Sequence, residues 1–125
     1  MTLQSFAMQS IPPDGRYVLC NVTRLPQLRE LREMLTQIVA AGKQHNLRFV
    51  LFNVFTMNTP FSIMQAFSFG DTMAEIFPPE FRVAALVRDM VPNRHFVETV
   101  TVNRGRYFRY FTDCEQALIW MLGAP

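Results

Sequence analysis

Two short runs, residues 47–54 and 81–87, are apolar at almost every position. A strand with one face in water alternates apolar and polar residues. A strand apolar on both faces needs a cover on both, as in the middle of a parallel sheet flanked by helices. Leu47, Phe49, Val50, Leu51 and Phe52 form the first run, and Phe81, Val83, Ala84, Ala85, Leu86 and Val87 the second. Parallel neighbours need a long crossover between them. Residues 60–77 supply it, with Ile63, Met64, Phe67, Met73, Ile76 and Phe77 at broken helical spacing. Gly70 interrupts that stripe and leaves either one bent helix or two short ones. Pro78 and Pro79 end it.

The flanking segments extend the pattern. Residues 12–15 read Pro-Pro-Asp-Gly, which combines fixed φ with a glycine free to take positive φ, as a tight turn requires. A hairpin is expected there, between a strand within residues 3–11 and one over residues 16–22. From residue 25 to 43 the period changes, and Leu28, Leu31, Leu35, Ile38, Val39 and Gly42 form one helical stripe. Thr23 is placed to cap that helix and Pro26 to lie in its first turn. Residues 92–103 give a further helix, closed by Gly105. Residues 107–111 alternate aromatics around Arg109 and read as an edge strand. Asp113 with Gln116 resembles the capping box of a last helix, whose packing stripe is Ala117, Leu118, Met121 and Leu122. The order is β-β-α-β-α-β-α-β-α, an α/β fold with a mixed, mainly parallel sheet of four to five strands, about four helices and an antiparallel opening hairpin.

At 125 residues the chain is sized for a single domain over residues 1–125. A net charge of +2 gives no concentrated basic surface for nucleic acid. No run approaches the length of a membrane span or a signal peptide, and a cytoplasmic location is the default expectation. Cys20 and Cys114 match neither a CxxC nor a Cys/His metal pattern, and they read as reduced, buried thiols. There is no GxGxxG, Walker lysine loop, HxxxH or HExxH, so neither a cofactor nor a metal is implied. Hydrolase, kinase and oxidoreductase readings lack their parts, and an enzyme built on His95 or Cys20 is the least supported class.

The element order, with the hairpin at residues 12–15, the two apolar runs and the ending Tyr110-Phe111-Thr112-Asp113-Cys114-Glu115-Gln116-Ala117-Leu118-Ile119-Trp120-Met121, resembles the STAS group, the anti-sigma-factor antagonist fold. The similarity is greater to its SpoIIAA-like branch of small stand-alone proteins. The resemblance implies a non-enzymatic regulatory or protein-interaction module. In the sporulation regulators of the group, a Ser within Asp-Ser-Ser/Thr-Gly, at the start of the helix after the third strand, is phosphorylated to break a partner complex. Here that stretch reads Thr56-Met57-Asn58-Thr59-Pro60-Phe61-Ser62, without the Asp, the Ser pair or the Gly. Asn58, Thr59 and Ser62 are the candidate phosphosite or anion site, because a phosphate there would lie near a helix N-terminus. The competing reading makes Asn58 or Thr59 the cap and Pro60 the first helical residue.

The SpoIIAA-like branch is also compared with the CRAL/TRIO lipid-carrier fold, which implies a carrier or sensor of a small apolar or anionic ligand as the alternative. The twelve Phe and eight Met exceed what a small core needs. The series Phe61, Ile63, Met64, Phe67, Phe69, Met73 and Phe77 would line a ligand or partner site, unless it is simply core. Self-association through this segment is the expected protein contact. In open α/β sheets ligands collect outside the C-terminal strand ends, near the point where strand order reverses. That rule selects Asn21, Thr23 and Arg24, then Asn53, Thr56, Asn58 and Thr59, then Arg88, Asp89, Asn93, Arg94 and His95. Arg88, Arg94 and His95 could together hold a carboxylate or phosphate. Otherwise Asp89 pairs with Arg88 or Arg94, and His95 is a surface residue.

Overall fold

The two apolar runs lie side by side as parallel strands in the computed structural model of the chain, which describes residues 6–57 and 59–123. The elements are β1 (Ala7–Ser10), β2 (Val18–Val22), α1 (Leu28–Gln44), β3 (Phe49–Asn53), α2 (Ile63–Ile76), β4 (Arg82–Leu86), α3 (Arg94–Asn103), β5 (Tyr107–Phe111) and α4 (Cys114–Leu122). The five strands run in the order β1-β2-β3-β4-β5. Only the β1–β2 pair is antiparallel, with Ala7 opposite Val22, and Val50 is level with Val83 across the two central strands. The opening turn closes with a 2.8 Å bond from the Gly15 N–H to the Pro12 carbonyl, Gly15 adopting φ of +65°. Leu3 lies outside the described residues.

The sheet order is strictly sequential, so the reversal point expected from other open sheets does not exist here. Each crossover steps the same way along the sheet, and crossovers of one hand then place α1, α2 and α3 on the same face. Alternation along the strands divides the core accordingly. Val50, Phe52, Val83, Ala85 and Phe108 pack with α1, α2 and α3, while Leu51 and Ala84 pack with Ala117 and Met121 of α4. This explains why the central runs are apolar throughout.

Several helix ends differ from the sequence reading. Thr23 does not cap α1, because its hydroxyl donates to the Phe6 carbonyl at 3.2 Å and fastens the end of the hairpin. The cap is Gln27, whose N–H donates to the Glu30 carboxylate at 2.9 Å, and Pro26 precedes the helix. Neither Thr59 nor Pro60 starts α2, and Asn58 lies outside the described residues. Ser62 is the cap, accepting from the Gln65 N–H at 3.1 Å while the Gln65 side chain accepts from the Ser62 N–H at 2.8 Å. In α4, Asp113 holds the cap position but makes no side-chain capping bond.

Gly70 does not split α2, which is one continuous helix from Ile63 to Ile76. A Cβ at this position would come within 2.8 Å of the Val100 Cβ and 3.0 Å of the Val97 carbonyl oxygen. The glycine is there to let α2 and α3 approach.

Candidate functional site

Between the three-helix layer and the sheet lies a cavity of about 80 Å³. Its floor is Val22, Phe52, Ala85, Phe108 and Tyr110, one or two residues from each of β2 to β5. Its walls are Leu31 and Met34 of α1, Phe69 and Met73 of α2, and Arg94 and Val97 of α3. The connection after β3 closes it with Val54, Met57 and Phe61. Phe61 is wedged edge-on against Phe69 at 5.3 Å between centroids.

Arg94 is the one charged side chain on that wall, and the residue is only 1% exposed. Its guanidinium donates to the carbonyl oxygens of Asp89 at 2.6 Å and Met57 at 3.1 Å, and its carbon lies 5.7 Å from the centre of the Tyr110 ring. Among the described residues no carboxylate pairs with it. Burial pushes its pKa down, against opposing pulls from Tyr110 and Asp89, but a guanidinium starts so high that it keeps its charge. Burial also pushes the Tyr110 phenol up, so it stays a neutral O–H group. Asn93 holds the entry to α3 in a left-handed conformation, φ of 77°, with its amide donating to the Phe61 carbonyl at 2.7 Å. That bond ties the α3 start to the β3–α2 connection, which places Arg94 over the cavity.

The candidate residues from the sequence divide sharply. Phe61 and Arg94 meet at the cavity, whereas Met64 and Phe67 lie on the opposite face of α2, 72% and 42% exposed. Ile63 is exposed with them, and Phe77 is buried in the core against Phe52 and Phe81. The Phe and Met stripe therefore serves three surroundings. Arg88 is exposed and lies 3.8 Å from the Asp89 carboxylate, and His95 is exposed with Nδ1 3.6 Å from Glu98. Neither shares the chamber with Arg94. Thr59 is exposed, and Ser62 is exposed and engaged as the α2 cap. Asn53 donates to Asn21 at 2.9 Å across the strand ends, and Arg24 makes a two-pronged pair with Glu30 at 3.0 and 2.8 Å.

Tyr110 is the site residue that the sequence reading missed. The signal was present in β5, where alternation puts Phe108 and Tyr110 on one face, their rings 4.9 Å apart. Phe111 faces the other way, 5.6 Å from Trp120. The buried thiol of Cys20 is pushed up to about 12 by desolvation and is not part of the cavity wall, whereas Cys114, expected to be buried as well, is exposed at the first position of α4.

Among solved structures, the chain is similar to an uncharacterised protein of the DUF3478 family from Shewanella loihica PV-4, described as having a SpoIIAA-like fold. The two superpose with a TM-score of 0.58 over 92% of this chain and 91% of that one, at 15% identity. The fold is SpoIIAA-like. No family model matches the sequence, and no curated protein matches it. Among the described residues no helix is long and apolar enough to cross a membrane, and no cluster of His, Cys, Asp or Glu could hold a metal.

Proposed function

We propose that this SpoIIAA-like domain is a non-catalytic binding module that takes a small, mainly apolar ligand into the chamber between the helix layer and the sheet. The observation that carries this reading is an apolar cavity of about 80 Å³ with a single buried guanidinium on its wall. The pocket is partly open, and a ligand that fills it removes the apolar side chains of its wall from water. The chemistry of the wall supports binding over catalysis. Among the described residues, Arg94 and a neutral Tyr110 are its only ionisable side chains, and Cys20, with its pKa pushed up to about 12, offers no thiolate at neutral pH.

Thermal unfolding of the purified protein against a panel of small apolar molecules tests the reading. Binders are expected to raise Tm, and Ala85→Val, which adds methyl groups to the cavity floor, is expected to raise the ligand-free Tm and abolish that response. A panel without effect on the native protein would sink the proposal.

A second reading, protein contact, is favoured by Ile63, Met64 and Phe67. These three large apolar side chains share the outer surface of one helix, 57%, 72% and 42% exposed.

A further inference from the structure

We infer that the ligand of this cavity is a short-chain aliphatic monocarboxylate, with its carboxylate held by Arg94 and its tail enclosed by Phe52, Phe61, Phe69 and Met73. The inference rests on the ligand-binding reading above and specifies its chemistry.

Charge is the first argument. Arg94 is buried, yet its partners among the described residues are two neutral carbonyl oxygens. The Asp89 carboxylate acts on Arg94 without pairing with it and makes its ion contact with Arg88. A buried cation without a counter-charge is costly, and native structures normally pair it. A ligand bearing one negative charge removes that cost. A dianion such as phosphate would bring a second charge into an apolar chamber that holds no second cation.

Shape is the second. The two carbonyls take one N–H from each terminal nitrogen, Nη1 and Nη2, leaving three of the five guanidinium donors. Donors in that planar fork match the two oxygens of a carboxylate. Tyr110 lies against the same guanidinium, and its hydroxyl has no hydrogen-bond partner among the described residues. Arg94 and Val97 also bring the first turn of α3 to the chamber, where the helix dipole favours an anion.

Size sets the tail. At about 80 Å³ the chamber has roughly half the volume of an apolar cavity that holds benzene, which corresponds to about three or four carbon-sized atoms. Propionate, with five heavy atoms including the carboxylate on Arg94, comes nearest this limit, butyrate with six reaches the open side of the pocket, and most of the chain of a long fatty acid would lie outside it.

Calorimetric titration of the native protein at neutral pH with propionate, butyrate and decanoate, and with butyramide and butanol as neutral isosteres, tests the inference. Butyrate is expected to bind about ten- to a hundredfold more tightly than butyramide, the range set by charge-assisted hydrogen bonds. Decanoate is expected to bind more weakly than butyrate. Arg94→Gln should erase the preference for the acid, so that butyrate and butyramide bind with equal affinity. If Arg94→Gln does not fold, the acid and amide comparison on the native protein decides the matter. Equal affinities for butyrate, butyramide and butanol would overturn the carboxylate assignment and leave the apolar-ligand reading standing. Preference for decanoate would overturn the short tail. Binding of none of these compounds, charged or neutral, would overturn both readings.

Discussion

At Gly70 one absent methyl group sets how closely two helices pack. Alanine at this position gains about 1 kcal/mol of helix propensity, but its Cβ would lie 2.8 Å from the Val100 Cβ and 3.0 Å from a backbone oxygen. A backbone oxygen cannot step aside as a flexible side chain can, so the overpacking cost of about 1–3 kcal/mol outweighs the gain. Gly70→Ala is therefore expected to lower stability by up to about 2 kcal/mol in urea unfolding, and Val100→Ala in the same chain to recover part of it. An increase in stability would show that α2 and α3 are not held at this spacing. The sequence shows a glycine in a helical stripe but not what approaches it. Arg94 presents the same difficulty. Its neighbours in sequence make it one of three cations at a helix start, while its burial is settled by Met57 and Tyr110, which arrive from other elements.

Among the helices, α1 carries its own pH dependence. Arg24 and the Gln27 N–H hold the Glu30 carboxyl down at about 2, against an ordinary 4.5. A carboxyl held lower in the folded than in the unfolded chain contributes stability that is fully present above about 4.5 and is lost as pH falls towards 2. Chemical unfolding of the native protein should thus show stability falling through that acid window. Glu30→Gln should flatten the fall there and reduce stability most near neutral pH, and an unchanged pH profile would show that the pair contributes nothing. The period of α1 was legible because an apolar stripe repeats within the helix itself. Its cap was not, because Thr23 and Gln27 both precede the stripe and the hairpin claims the Thr23 hydroxyl. In α2, Ser62 and Gln65 fit the sequence pattern of a capping box, but Pro60 drew the expected start earlier. At the sheet edge, the Glu98 side chain accepts the Tyr110 N–H at 2.6 Å, which covers part of a strand edge open to pairing.

Across the whole molecule, the exposed Ile63, Met64 and Phe67 form the surface best suited to association. Sedimentation over a range of concentrations is expected to show self-association that Met64→Glu with Phe67→Glu abolishes without lowering Tm, because neither side chain is buried. A monomer at every concentration would remove this surface as a self-contact and leave a different protein as its partner. The sequence by itself determined the α/β class, the order of the elements, the antiparallel opening hairpin and the two strands that must lie inside the sheet. Each follows from periodicity or turn chemistry, which residues close in the chain impose on one another. Only the tertiary structure decided which face of α2 turns inward, that the sheet is sequential without a reversal, and that Arg94 rather than Arg88 or His95 enters an apolar chamber. The physical reason is distance along the chain. Arg94 is held by the carbonyl of Met57, 37 residues before it, and the environment of a side chain is set by whatever the fold brings against it.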